Sequence, residues 1–212
     1  MSRVALLHGL ASSFDRNWRD AGWVDVLEDA GHEVVALTLP GHGADRAVAD
    51  QLPPGPIDGI GFSAGAEALL GVAVARPDTF ARLVLMGIGS ATLDADRATA
   101  AALADALDKP EDPGDVGTRL FRRMAAVAGH DIASVVDYLR RPHQPPSLAD
   151  LARIRCPVLV VVGDRDPAYP ADRLVGALPD AHGVTLRGVD HFATTSDPRA
   201  MEAAVGFLAG EN

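Results

Sequence analysis

Residues 57–65, Ile57-Asp58-Gly59-Ile60-Gly61-Phe62-Ser63-Ala64-Gly65, lead without a break into Ala66-Glu67-Ala68-Leu69-Leu70 and on to Ala75. Residues 57–62 read as a buried strand and residues 64–75 as an apolar helix. The pattern Gly61-x-Ser63-x-Gly65 therefore falls at a strand-to-helix junction. A junction of this kind is a sharp, strained turn. It lifts the serine hydroxyl above the sheet, and its small neighbours let other backbone segments come close. Ser63 is thus the candidate nucleophile. The same stretch also fits the looser dinucleotide fingerprint G-x-G-x-x-G/A at Gly59, Gly61 and Ala64. That reading fails on position. Gly59 lies inside the strand rather than after it, and the next strand runs into Gly87-Ile88-Gly89 with no acidic residue.

Outward from the junction, short runs rich in Val, Leu and Ile recur at residues 4–7, 33–39, 82–86, 158–162 and 184–186. Several are nearly continuous in apolar residues, as strands buried on both faces of a parallel sheet must be. Helical patterns lie between them at residues 18–30, 171–178 and 198–208. Strand alternating with helix predicts an α/β fold, a doubly wound and mostly parallel sheet of about six strands. Residues 89–153 interrupt the alternation with helical patterns at 94–107, 115–127 and 131–140. Joints at Lys109-Pro110-Glu111-Asp112-Pro113-Gly114, Pro142 and Pro145-Pro146 separate them, and Ser147 with Asp150 reads as a helix start. The expected division is a core of residues 1–88 and 154–212 with a small helical cap at 89–153.

The 212 residues are 48 % hydrophobic, enough for one domain with a substantial core. Nineteen basic against 29 acidic residues leave a net charge of −10. That balance repels phosphate backbones and anionic lipid, so neither a nucleic-acid nor a membrane partner is expected. The longest apolar stretches, such as 68–75, are too short to span a bilayer. The opening Met1-Ser2-Arg3-Val4 passes straight into the first strand without the apolar region of a secretory leader. Cys156 is the single cysteine, which excludes an internal disulfide. A cytoplasmic location is the expectation. No His, Cys, Asp or Glu spacing suggests a metal site, and the oligomeric state stays open.

Five motifs in order carry a resemblance. His8-Gly9 follows the first strand, Pro40-Gly41-His42-Gly43 follows the second, and the serine turn comes third. Residues 156–166, Cys156-Pro157-Val158-Leu159-Val160-Val161-Val162-Gly163-Asp164-Arg165-Asp166, come next, and Gly188-Val189-Asp190-His191-Phe192 closes the series. Together they are similar to the α/β-hydrolase-fold serine hydrolases, and the likeness runs nearly end to end, weakest over residues 89–153. The chain departs from that fold by lacking its initial pair of antiparallel strands. Only residues 44–56 link the Pro40 turn to the serine strand, barely enough for one crossover helix.

The resemblance implies a compact esterase-like serine hydrolase. Ser63 is the nucleophile, His191 its base and Asp166 the carboxylate that orients the base, in the chain order this fold uses. Asp164 and Asp94 are alternative acids. The oxyanion donors are the backbone N–H groups of Ala64 and Leu10, with Ala11 a substitute for Leu10. The implied partner is a small-molecule acyl substrate, and no cofactor is needed. Thioesterase, lactonase or C–C bond hydrolase activity, and ligand binding without catalysis, fit the same residues. His8 and His42 are expected to be scaffold, while His32, His130, His143 and His182 read as solvated or capping residues. Arg119, Arg122, Arg123, Arg140 and Arg141 read as solvated helical faces. Trp18 and Trp23 read as packing residues, with Trp18 a further candidate for the pocket wall.

Overall fold

The computed structural model describes residues 2–94, 97–109, 115–141 and 145–211. Strands β1 (Arg3–Leu7), β2 (Glu33–Leu37), β3 (Ile57–Phe62), β4 (Phe80–Met86), β5 (Val158–Gly163) and β6 (Ala181–Leu186) form one sheet in the order β2-β1-β3-β4-β5-β6. Every neighbouring pair is parallel. β3 and β5 are buried along their whole length. β5 is nearly continuous in valine and leucine, as a strand covered on both faces must be, whereas β3 carries the buried Asp58 and two glycines.

Successive side chains of a strand point to opposite faces, and the core divides accordingly. Ala5, Leu7, Leu83, Leu85, Val158 and Val160 pack on one face with Leu69 and Leu70 of α3 (Ala64–Ala75) and Leu174 of α8 (Asp172–Ala177). Val4, Leu6, Ile60, Val84, Met86 and Val161 pack on the other with Trp23 and Leu27 of α1 (Trp23–Asp29) and Phe207 of α9 (Pro198–Ala209). Helices thus cover both faces, and the sheet is doubly wound. No helix among the described residues is long and apolar enough to cross a membrane.

Between β4 and β5 lie α4 (Arg97–Asp108), α5 (Val116–Ala128), α6 (Ile132–Arg140) and the single turn α7 (Leu148–Leu151). Asp115 and Asp131 cap α5 and α6 through their side chains, and Ser147 with Asp150 forms a reciprocal capping box at α7. Ala104, Leu107, Ala125, Val135 and Val136 of these helices make a third apolar cluster, which also takes in Ala11 from the loop after β1. The expected joint at 110–114, Pro142 and His143 lie outside the described residues.

Some local expectations differ from the structure. The helix expected over 18–30 is two pieces, a π-turn at Asp15–Arg19 and α1, separated by Gly22 at φ 85°. The crossover through residues 44–56 holds only the four-residue α2 (Val48–Gln51). The strand expected to reach residue 39 stops at Leu37. The Gln51 side chain takes the next backbone groups, accepting from Thr38 N–H at 2.9 Å and donating to Thr38 O at 2.7 Å. Leu39 N–H in turn goes to His8 Nε2 at 3.3 Å. β6 begins at Ala181 rather than 184, because pairing with β5 draws His182 and Gly183 into the ladder despite their weak strand preference.

Gln51 satisfies both backbone groups of Thr38, as a neighbouring strand would. Gln51→Ala should therefore destabilise the fold by about 1–2 kcal/mol, read as a lower urea midpoint with an unchanged slope.

Candidate active site

Ser63 follows β3 with φ 53° and ψ −122°. A non-glycine residue held there costs about 1–3 kcal/mol and persists only where its surroundings over-determine it. Ser63 N–H donates to Met86 O at 2.8 Å, and Ser63 O accepts Glu67 N–H at 3.0 Å. The flanking glycines are obligatory for space. A Cβ on Gly61 would lie 2.7 Å from the Ala66 backbone, and one on Gly65 would lie 2.3 Å from Leu7 O and 2.4 Å from His8 O. The second approach seats the loop after β1 against the start of α3.

The loops after β5 and β6 bring two more side chains to Ser63. His191 Nε2 is 3.0 Å from Ser63 Oγ, and His191 Nδ1 is 2.7 Å from Asp166 Oδ2. Because the carboxylate can only accept, the neutral ring carries its proton on Nδ1 and presents Nε2 to the serine hydroxyl. The Asp166 side chain is 1 % exposed. Its other oxygen accepts Ala168 N–H at 2.8 Å, so neither oxygen is left bare. The Phe62 ring lies 4.9 Å from the His191 ring, centroid to centroid.

The other carboxylates go elsewhere. Asp164 accepts Gly188 N–H at 2.7 Å, and Asp190 accepts Ala193 N–H at 2.9 Å. Asp94 sits on the exposed surface paired with Arg173, whose guanidinium holds its carboxyl below the usual carboxylate range. Of the three candidate acids, only Asp166 bonds His191.

Ala64 is the first residue of α3, so its N–H has no partner one turn earlier in the helix. In the loop after β1, Gly9 N–H donates to Asn17 Oδ1 at 2.9 Å and Ser12 N–H to Gly9 O at 3.2 Å. Ala11 N–H donates to His42 Nε2 at 2.9 Å. Leu10 N–H alone of these four has no acceptor among the described residues. The substitute donor expected at Ala11 is thereby corrected, since His42 occupies it.

His8, His42 and His130 cluster beside this loop, with ring centroids 5.0 to 6.4 Å apart. His130 is part-buried and bonds Ser12 O, so reading it as a solvated or capping residue is also corrected. It follows a helix in a turn, with no spacing in the sequence to link it to residue 12. Burial pushes the His8 imidazole down to about 3 and that of His42 to about 4. Nearby His130 and Arg141 act in the same direction on His42, and the bond to Pro40 O acts against it. Burial likewise lifts the Tyr138 phenol, stacked edge-on against His42, to about 12.

Ser63 and His191 open into a cavity of about 600 Å³, a volume typical of small-molecule pockets. Its walls are mainly apolar, from Ile88, Ala91, Ala168 and Phe192, with Glu67, Thr92 and Arg165 among the polar groups. Of residues 89–153, only Ala91 and Thr92 line it among the described residues. Trp18 does not. It is fully buried under the loop and packs edge-on against Trp23 at 5.4 Å. Arg122 bonds Leu107 O and Lys109 O, and Arg140 bridges Asp105 and Asp108, so these arginines tie helix to helix.

A sequence profile described as the Alpha/beta hydrolase family matches residues 4–204. The chain belongs to that family. Its fold recurs in many solved alpha/beta hydrolases. MenH from S. aureus is 18 % identical with a TM-score of 0.76, over 99 % of this chain and 94 % of that one. A carboxylesterase structure from Nitrososphaera gargenis is 19 % identical with a TM-score of 0.69, over 99 % and 90 %. The monoacylglycerol lipase of Paleococcus ferrophilus is 22 % identical with a TM-score of 0.66, over 99 % and 95 %. No curated protein sequence matches significantly.

In this alpha/beta hydrolase, the two buried imidazoles couple folding to pH. His8 and His42 stay neutral in the fold well below 6.5, where they titrate in the unfolded chain. Between pH 6.5 and about 4 the unfolded chain therefore binds protons that the native chain refuses. Their contribution is complete above pH 6.5 and is lost as the pH falls, by up to about 1.4 kcal/mol per pH unit for each ring. His42→Gln keeps an acceptor for Ala11 N–H but does not titrate. It should flatten the fall of the urea midpoint across this window, and an unchanged slope would contradict a neutral His42.

Proposed function

We propose that the protein is a serine hydrolase that cleaves a carboxylic ester or related acyl bond through Ser63, His191 and Asp166. One observation carries the reading: an unbroken hydrogen-bonded chain from the buried Asp166 through His191 to Ser63 Oγ, at 2.7 and 3.0 Å, facing an apolar cavity.

The serine hydroxyl is a weak nucleophile until its proton has somewhere to go. As Oγ attacks the carbonyl carbon, His191 Nε2 takes that proton, and the Asp166 carboxylate stabilises the imidazolium while fixing the ring. The carbonyl oxygen becomes an oxyanion between the N–H groups of Leu10 and Ala64, each such donor worth about 3 kcal/mol of barrier. His191 then returns its proton to the leaving alcohol, and the C–O bond breaks to leave an acyl-Ser63. Water enters, loses a proton to His191 and attacks the acyl carbon, and the carboxylic acid departs as the proton returns to Ser63. These steps need no cofactor. In this reading the partner is a small-molecule acyl substrate in the cytoplasm, and residues 89–153 form the cap.

A fluorophosphonate probe should label one serine, Ser63. Ser63→Ala and His191→Ala should each abolish labelling and turnover with the fold retained, and labelling that survives both changes would overturn the mechanism. Asp166→Asn should lower kcat on the order of 10⁴-fold, with far smaller losses for Asp164→Asn and Asp94→Asn.

The cavity also sets a size preference. Each added acyl methylene gains up to about 0.8 kcal/mol only while apolar wall remains to receive it. Across p-nitrophenyl esters from acetate to palmitate, below their micellar concentrations, kcat/KM should be highest for short chains and fall for long ones. A steady rise to palmitate would contradict a small pocket.

A further inference from the structure

The loop carrying Leu10 is held from outside. Gly9 O accepts from His8 Nδ1 at 2.9 Å, Ala11 N–H donates to His42 Nε2 at 2.9 Å, and Ser12 O accepts from His130 Nε2 at 2.6 Å. Those bonds grip the Leu10-Ala11 segment on both sides. Ala11 has φ 56°, a left-handed conformation that costs a β-carbon-bearing residue about 1–2 kcal/mol. The Ser12 N–H to Gly9 O bond at 3.2 Å closes the turn locally, and with His8 Nδ1 it holds the carbonyl of the peptide that carries Leu10 N–H. The two outer bonds fix the peptides that follow, through Ala11 N–H and Ser12 O, and so set the turn on which that peptide rides.

The two imidazoles come from different parts of the chain. His42 lies in the turn after β2, and His130 lies in the turn between α5 and α6 of the helical insertion. They are locked to each other. Their rings are 5.0 Å apart, the Tyr138 ring of α6 stands edge-on to His42 at 5.4 Å, and a Cβ on Gly41 would lie 2.6 Å from Ser134 O of α6. Leu10 and Ala11 also pack into the apolar cluster formed by α4, α5 and α6.

We propose that His42 and His130 are positioning residues that aim Leu10 N–H at the reacting carbonyl oxygen. Through His130, the insertion sets the activity of the Ser63 site without touching the reacting atoms. This inference rests on the function proposed above. The ring nitrogens define the requirement: His42 must accept from Ala11 N–H, and His130 must donate to a carbonyl that can only accept. Glutamine can supply an acceptor at the first position and a donor at the second, whereas leucine or alanine supplies neither.

The test compares His42→Leu with His42→Gln and His130→Ala with His130→Gln. The readouts are kcat and KM on p-nitrophenyl butyrate and inhibition by a trifluoromethyl ketone, which adds to a serine hydroxyl to give a tetrahedral oxyanion. Loss of one oxyanion donor lowers kcat about 10²- to 10³-fold, so a misaimed donor should lower it about 10- to 100-fold. KM should change little, the ketone's Ki should rise by a similar factor, and the glutamine variants should recover most of both. His130 lies in a part-exposed turn, so its pair of variants decides the question if His42→Leu does not fold. A folded His130→Ala with wild-type kcat overturns the proposal. So does a loss of activity that leaves the ketone's Ki unchanged or that glutamine does not rescue. If turnover by the unaltered protein does not depend on Ser63, the functional reading falls and this inference with it. If turnover depends on Ser63 but not on the two histidines, only the inference falls.

Discussion

The backbone of Ser63 stands at φ 53° and ψ −122° between β3 and α3, and the sheet edge around it is built to hold it there. An alanine Cβ at position 61 or 65 would collide with the turn itself or with the carbonyls of Leu7 and His8. Those close approaches bring β1, β3 and α3 to one point, and the bond to Met86 O adds β4. Parallel strands end at the same edge, so the loops after β5 and β6 arrive beside the same serine. The geometry of the relay follows from the order of the strands.

Two styles of buried polar group meet at this edge. Asp166 is a carboxylate that can be buried because each oxygen has an N–H donor, one from His191 and one from Ala168. His8 and His42 are buried as neutral rings, each accepting a backbone N–H on one nitrogen and facing a backbone carbonyl with the other. Histidines therefore serve in two settings at one edge, His191 against a buried carboxyl group and His8 and His42 as neutral rings against the backbone.

Among the described residues, the stretch 89–153 between β4 and β5 lines the cavity only through its first turn. Its first turn contributes Ala91 and Thr92 to the cavity, while α4, α5 and α6 bury their apolar faces on Leu10 and Ala11. It therefore meets the proposed oxyanion loop directly. Cavity wall and loop packing thus come from one stretch of chain.

The apolar runs and the glycine-flanked serine determined by themselves that β3 is a buried strand, that α3 begins at Ala64 and that the sheet is parallel with helices on both faces. Periodicity and close-packing constraints are local, so they can be read along the chain. His8, Ser63, Asp166 and His191 each lie just past an apolar run, but their roles were legible only through the resemblance to the α/β-hydrolase motifs. Three carboxylates remained open as partners of His191 because spacing does not say which loop turns inward, and only the folded loops placed Asp166 there and sent Asp94 to Arg173. The end of β2 at Leu37, the captured N–H of Ala11 and the part-buried position of His130 were likewise decided by tertiary structure. Each depends on a hydrogen bond between residues far apart in sequence, from Gln51 to Thr38, His42 to Ala11 and His130 to Ser12. No local pattern records such a bond, because its partners are neighbours only once the chain has folded.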